Sequence, residues 1–208
     1  MNLTPYHAIY FAHELTKRSS SDSMQKLAST LVDAQVDLNP HQVEAALFAF
    51  RSPLSKGAIL ADEVGLGKTI EAALVISQKW AERKQKIIII TPANLRKQWS
   101  QELQDKFFLS SIILEAKSFN DCVKKGNLNP LDQPEIIICS YQFARTKEPY
   151  IKSIGWDLAV IDEAHRLRNV YKAGNKIAKS IKDALNEAPK ILLTATPLQN
   201  TLLELYGL

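Results

Sequence analysis

The chain has 208 residues, of which 46% are hydrophobic and 23% are charged, and its formal net charge is +4. This composition is that of a folded globular protein and excludes the intrinsically disordered, collagen-like and disulfide-scaffold classes. The two cysteines, Cys122 and Cys139, favour a reducing compartment over a disulfide framework. Because the apolar runs fall far short of the roughly 20 residues that cross a bilayer and the N-terminus lacks a secretory-signal pattern, we expect a cytoplasmic protein.

The N-terminal part of the chain is predicted to be helical. Helices are expected over 5–18 and 22–37, with three serines between them. A third helix is expected to start at Asn39 and Pro40, because asparagine caps helices and proline suits the first helical position, and to end before Ser52. We interpret residues 1–38 as a helical extension that packs on the rest of the chain or binds a partner protein.

From residue 58 onward, short apolar runs alternate with helical stretches. The runs are apolar throughout, as in parallel strands that are covered on both faces. This alternation predicts an α/β fold, a three-layer parallel-sheet domain over residues 39–208. Residues 201–208 begin another apolar-periodic helix, so we expect the chain to be part of a longer protein. The predicted strands are 58–60, 87–91, 112–114, 136–139, 158–161 and 191–194, and the predicted helices are 68–83, 93–106 and 174–186.

The clearest motif is a P-loop pattern between the first predicted strand and the helix that begins at Lys68. Glycines let backbone N–H groups converge on a polyphosphate, and the helix N-terminus adds partial positive charge. Lys68 would pair with the β- and γ-phosphates and Thr69 would hold Mg²⁺. Asp62 stands where the common pattern has glycine, and an unrelated glycine-rich turn is the alternative. The predicted nucleotide-binding loop comprises Asp62, Glu63, Val64, Gly65, Leu66, Gly67, Lys68 and Thr69.

Two further motifs follow predicted strands. Asp162 and Glu163 end an apolar strand, where ligands bind in open α/β sheets. Asp162 would belong to the Mg²⁺ shell and Glu163 would orient or deprotonate the attacking water, although a cap for the next helix is an alternative. Thr194 and Thr196 follow the last strand and are expected at the same sheet edge, where a plain threonine turn is equally compatible with the pattern.

Four segments together, ADEVGLGKT at 61–69, IIIITPANLRKQW at 87–99, WDLAVIDEAHRLRN at 156–169 and LLTATPLQN at 192–200, resemble the motifs of superfamily-two helicase-like ATPases. The chain is most similar to the Swi/Snf-type branch of DNA translocases, and especially to the bacterial RNA-polymerase-associated remodellers. Aspartate at position 62 is usual in that branch. The resemblance implies that residues 39–208 form the first of two RecA-like lobes, that ATP and Mg²⁺ are the cofactors and that double-stranded DNA is the partner.

The resemblance also implies roles for individual residues. Gln42 would read adenine, although a capping-box contact with the helix start at Asn39 is the alternative. His165 would couple the ATP state to the second lobe and to DNA together with Thr194 and Thr196, and a solvated loop histidine is its alternative. The DNA-contact candidates, Asn94, Arg96, Ser140 and Tyr141, follow strands, and Arg96 is also compatible with a plain surface charge.

The leading functional hypothesis is therefore an ATP-hydrolysing motor that tracks double-stranded DNA. Two alternatives remain open at this stage: a strand-separating RNA or DNA helicase, and a nucleotide-sensing module that docks a partner without significant turnover. Because the resemblance assigns an arginine finger to the second lobe, we expect these 208 residues alone to be nearly inactive.

Overall fold

A computed structural model of the chain describes residues 39–51, 57–61, 67–168 and 175–196. The predicted helices at 5–18 and 22–37, the boundary at residue 38 and the predicted helix start at 201–208 lie outside the described residues. Most of the predicted P-loop, residues 62–66, lies outside them as well.

The centre of the molecule is a six-stranded sheet in which every neighbouring pair is parallel. The strand order is β1-β6-β5-β2-β4-β3, so β1 and β6 are neighbours although most of the chain separates them. This confirms the predicted α/β parallel-sheet class. The strands are β1 (Gly57–Leu60), β2 (Ile87–Thr91), β3 (Ser111–Ile113), β4 (Ile136–Ser140), β5 (Leu158–Asp162) and β6 (Lys190–Leu193).

Helices cover both faces of the sheet. Within the described residues there are seven α-helices and one 3₁₀ helix, at Ala164–Leu167. The first three helices pack on one face, and the other four and the 3₁₀ helix pack on the other. The helices are α1 (Pro40–Arg51), α2 (Lys68–Ala81), α3 (Arg96–Phe107), α4 (Ala116–Lys124), α5 (Tyr141–Thr146), α6 (Glu148–Lys152) and α7 (Lys176–Ala184).

The two cores follow from the alternation of side chains along each strand. In β2, Ile87 and Ile89 belong to the core beneath α1–α3, whereas Ile88 and Ile90 belong to the core on the opposite face. All four are fully buried. Since both faces are covered, consecutive residues can all be apolar, which explains the continuous isoleucine runs in the sequence.

The predicted strands agree with the structure to within one residue at each end, but three short helices were not predicted. α4, α5 and α6 have nine, six and five residues. Helices this short are marginal in isolation and form because they pack on the sheet, so local sequence carries little signal for them. No helix in the described ranges is long and apolar enough to cross a membrane.

Candidate functional site

The strand ends bring the predicted motifs to one edge of the sheet. In the register, Leu60 lies beside Leu193, and Leu193 lies beside Asp162. With neighbouring strands about 4.8 Å apart, the end of β1 and Asp162 are about 10 Å apart across β6. On the other side of β5 the row continues through Thr91 of β2 to Ser140 of β4. The end of β1, the acidic pair and the strand ends nearest the DNA-contact candidates therefore share this edge.

The N-terminus of α2 depends on Gly67. This residue has φ 86° and ψ 35°, the left-handed region that glycine adopts without strain. Its carbonyl accepts hydrogen bonds from the N–H groups of Ile70 and Glu71 at 2.7 and 3.1 Å, which starts the helix at Lys68. Lys68 and Thr69 thus lie in a first turn whose N–H groups carry partial positive charge. Such a helix start suits an anion.

Gln42 lies against this helix start. Its side chain is only 5% exposed, and a Cβ at Gly67 would come within 2.4 Å of its Nε2. Its Oε1 accepts the N–H of Asn39 at 3.2 Å, which is the capping-box contact expected from the sequence. Contact with adenine stays a prediction.

The Asp162 carboxylate is held by three donors. Its Oδ2 accepts the hydroxyl of Thr91 and the indole N–H of Trp99, both at 2.9 Å. Its Oδ1 accepts the backbone N–H of Glu163 at 2.9 Å. A carboxylate offers about four lone-pair positions, so these bonds fix its rotation and leave Oδ1 with room for one more partner.

Glu163 has a left-handed backbone, with φ 54° and ψ 47°. For a residue with a side chain this conformation costs about 1–2 kcal/mol. The Tyr141 hydroxyl donates to the carbonyl of Asp162 and, at 3.2 Å, to that of Glu163. Burial, and secondarily the Asp162 carboxylate, raise the pKa of Tyr141, so its hydroxyl stays a donor at neutral pH.

The Glu163 side chain faces solvent. This side chain is 36% exposed, and its Oε2 lies 3.1 Å from Nδ1 of His165, whose side chain is 38% exposed. Thr194 is buried, and its N–H donates to the carbonyl of Leu60 at 3.1 Å. Its hydroxyl accepts the N–H of the exposed Thr196 at 3.2 Å. The coupling roles of these three residues stay predictions.

The four DNA-contact candidates differ in exposure. Asn94 is exposed in the turn after β2, whereas Arg96 lies 2.9 Å from the Glu115 carboxylate and donates to the carbonyl of Ala93. The Ser140 hydroxyl accepts the N–H of Phe143 at 3.2 Å and so caps α5. Tyr141 is only 7% exposed and faces the acidic turn. The Tyr141 hydroxyl donates to the carbonyls of this turn, and the DNA contact that the resemblance implies for Tyr141 stays a prediction.

The residues at this edge fit a magnesium ion that arrives with phosphates. Mg²⁺ prefers oxygen ligands and is usually held by one or two carboxylates together with substrate phosphates. Asp162 supplies a carboxylate with an available position on Oδ1, and Thr69 supplies a hydroxyl in the first turn of α2. The roles of Thr69 and Asp162 as Mg²⁺ ligands stay predictions.

Thr91 and Trp99 are two residues of the site to which sequence reasoning gave no role. Both belong to the segment 87–99 that carried part of the resemblance. A polar residue at the end of an apolar strand was a signal for Thr91, but only the strand order shows that β2 is next to β5. For Trp99 the sequence carries no comparable signal, because a tryptophan on a helix is ordinarily explained by packing.

Comparison with known proteins identifies the family of the chain. Residues 15–208 match the SNF2-related domain. The RNA polymerase-associated protein RapA of Yersinia pseudotuberculosis is 32% identical over an alignment of 188 residues, which covers 88% of this chain and 19% of that protein. RapA of Yersinia pestis is 31% identical over the same length. The chain thus spans about a fifth of the length of these curated relatives, 19% in each case.

A solved structure supports the same grouping. The SWI2/SNF2 ATPase core of Sulfolobus solfataricus, in complex with double-stranded DNA, matches with a TM-score of 0.70 and 27% sequence identity. The match covers 85% of this chain and 36% of that chain. The chain therefore belongs to the SNF2-related domain family, and it is the N-terminal, RecA-like lobe of a Swi/Snf-type helicase-like ATPase of superfamily two.

Proposed function

We propose that this chain is the ATP-binding lobe of a motor that hydrolyses ATP to ADP and phosphate and couples this reaction to movement along double-stranded DNA. The observation that carries the proposal is the strand register that brings the end of β1 and Asp162 to one edge. Helix α2 packs on β5 and β6, and its first two residues are Lys68 and Thr69. Phosphoryl transfer needs such a set of groups around the terminal phosphates.

Each group at the edge has a distinct role in the proposed reaction. Lys68 binds the β- and γ-phosphates, and Thr69 and Asp162 hold Mg²⁺, which when bound neutralises charge on these phosphates. Glu163 orients the attacking water and accepts its proton, for which its partly exposed carboxylate is suited. Gln42, beside Gly67, contacts the adenine, and residues 62–66 complete the phosphate loop.

The proposed reaction needs a second lobe. Charge that develops on the transferred phosphoryl group requires a cation opposite Lys68, and an arginine finger contributes about 10³–10⁵ in rate. The resemblance assigns that arginine to the other lobe. We therefore propose that these residues alone bind ATP with Mg²⁺ weakly and hydrolyse it very slowly.

DNA and a protein are the proposed macromolecular partners. The double-stranded DNA in the related archaeal ATPase core supports DNA as the track. Contacts from Asn94, Arg96 and Ser140 to phosphates would be independent of base sequence and weakened by salt. The RNA polymerase association in the name of RapA supports a protein partner, for which residues 1–38 are the proposed docking segment.

Substitution of Glu163 tests the proposal. In a two-lobed protein of which this chain is the first lobe, Glu163→Gln should lower DNA-stimulated ATP hydrolysis at least about 100-fold, because it removes the proton acceptor. ATP affinity should stay within about twofold, since the phosphate ligands are unchanged. Hydrolysis is measured by phosphate release with and without duplex DNA. The matched control is Glu148→Gln, a half-buried glutamate at the start of α6.

Two assays on the same two-lobed protein distinguish the candidate activities. Displacement of a third strand from a DNA triplex without unwinding of the duplex would support translocation, whereas robust strand separation would support a helicase. ATP binding without DNA-stimulated hydrolysis would contradict the motor and favour a nucleotide-sensing module.

A further inference from the structure

We propose that Trp99 and Thr91 are positioning residues that hold the Asp162 carboxylate with Oδ1 turned towards the metal and the nucleotide. This inference rests on the proposed function and extends it, because it names the side chains that orient the proposed Mg²⁺ ligand. Neither side chain touches the nucleotide in this proposal, and both act through Asp162.

The contacts come from two different elements. Thr91 is the last residue of β2 and is fully buried, and its hydroxyl donates to Oδ2 at 2.9 Å. Trp99 lies in the first turns of α3 and is 1% exposed, and its Nε1–H donates to the same Oδ2, also at 2.9 Å. A strand and a helix thus converge on one oxygen of one carboxylate.

The two donors decide which oxygen faces the ligand. Together they occupy both lone-pair positions of Oδ2, so that oxygen has little capacity left for a cation. Oδ1 accepts only the N–H of Glu163 among the contacts of the described residues and retains one position. Mutation of a residue that orients a metal ligand in this way typically lowers metal affinity or activity about 10–100-fold.

The test compares two pairs of variants of a two-lobed protein of which this chain is the first lobe. Trp99→Phe and Thr91→Val each remove one donor to Oδ2, and Thr91→Val is nearly isosteric. Trp156→Phe is the matched control for the first, because Trp156 is 6% exposed and its Nε1–H donates to the Ile151 carbonyl at 2.9 Å. Thr146→Val is the control for the second, because the Thr146 hydroxyl donates to the Phe143 carbonyl at 2.9 Å.

ATP affinity is measured by calorimetry, once with Mg²⁺ and once with EDTA. The wild type should bind ATP more tightly with Mg²⁺. The gain is the ratio of ATP affinity with Mg²⁺ to ATP affinity in EDTA. In Trp99→Phe and Thr91→Val this gain should fall about 10-fold, while affinity in EDTA stays within about twofold of the wild type. Both control variants should keep the full gain.

Any other result would contradict either the positioning role or the proposed function. If Trp99→Phe and Thr91→Val keep the full gain, or lose affinity equally with Mg²⁺ and with EDTA, the positioning role is wrong and the proposed function stands. If the wild type binds no ATP, or binds it equally well in both conditions, the proposed function is wrong and this inference falls with it. Thr91→Val alone decides the matter if Trp99→Phe does not fold.

Discussion

At the scale of single residues, the unusual backbone of Glu163 is the feature most directly tied to chemistry. A left-handed residue directly after a strand turns the chain sharply, and strain of this kind persists only where neighbours hold it. The neighbour here is Tyr141, whose hydroxyl donates to the carbonyls of Asp162 and Glu163. Tyr141 therefore helps to hold the backbone of the turn at Glu163.

This contact predicts the effect of Tyr141→Phe. Removing the hydroxyl leaves two carbonyls without that donor and loosens the turn, while the phosphate ligands stay in place. We expect kcat for ATP hydrolysis in a two-lobed protein to fall about 10-fold, which corresponds to about 1.4 kcal/mol of transition-state stabilisation. ATP affinity should stay within about twofold.

Tyr150→Phe is the matched control for this variant. Tyr150 packs edge-to-face on Phe119 in the same core, with ring centroids 5.0 Å apart. It should leave kcat unchanged. A Tyr141→Phe protein with normal kcat, or one whose ATP affinity falls as much as its kcat, would contradict the positioning role.

The residues of the acidic pair could be predicted from the sequence, whereas their supports could not. Asp162 and Glu163 end an apolar run, and that position alone predicts the carboxyl edge of a parallel sheet. Thr91, Trp99 and Tyr141 act on this pair through contacts between strands and helices that are more than 20 residues away along the chain. Such contacts depend on the order of the strands, which hydrophobic periodicity does not contain.

At the scale of elements, the start of α2 depends on its contact with α1. Gly67 has a positive φ, and a Cβ there would collide with Nε2 of Gln42. Gln42 cannot move aside easily, because it is 5% exposed and its Oε1 accepts the N–H of Asn39. The position of Lys68 and Thr69 is thus fixed by the close packing of two helices.

Gly67→Ala should therefore lower the free energy of unfolding by more than backbone strain alone would. Strain at a positive φ costs about 1 kcal/mol, and overpacking against Gln42 adds about 2 kcal/mol. We expect the free energy of unfolding to fall by about 3 kcal/mol in denaturant titrations. ATP affinity should fall at least about 10-fold, because the first turn of α2 is displaced.

Gly126→Ala is the control that isolates the strain. Gly126 has φ 94°, and a Cβ there meets no atom within 4 Å. The free energy of unfolding of this variant should fall by about 1 kcal/mol, and its ATP affinity should be unchanged. Equal losses of stability in both variants would show that the contact with Gln42 contributes nothing.

Element boundaries were predictable where the local signal is strong. The strands are uninterrupted apolar runs, and α1 has a proline at its first position as expected. α4 is capped by Glu115 instead of one of the preferred N-cap residues, and α5 and α6 follow one another with a single residue between them. These helices arise from burial of residues such as Phe119 and Ile151 in the core, which is a tertiary effect.

At the scale of the whole molecule, the class of fold was predictable and the strand order was not. Apolar runs without alternation indicate strands that are buried on both faces, and helices between them indicate parallel pairing. No single segment of the sequence indicates that β6 lies between β1 and β5. This position brings Thr194 against the carbonyl of Leu60 and so links the last motif to the end of the first strand.

The double-sided core also predicts how the two cysteines react. Cys139 lies in β4 and is fully buried, and burial raises its pKa to about 12. At about pH 8 only about one thiol in ten thousand would be the reactive thiolate.

In a Cys122→Ala variant, a disulfide reagent should modify Cys139 at least about 1000-fold more slowly in the native protein than in guanidinium chloride. Cys122, which is partly exposed on α4, should react quickly in a Cys139→Ala variant. Native Cys139 that reacts as fast as Cys122 would mean that β4 is open to solvent and that the sheet is not covered on the face of α4–α7.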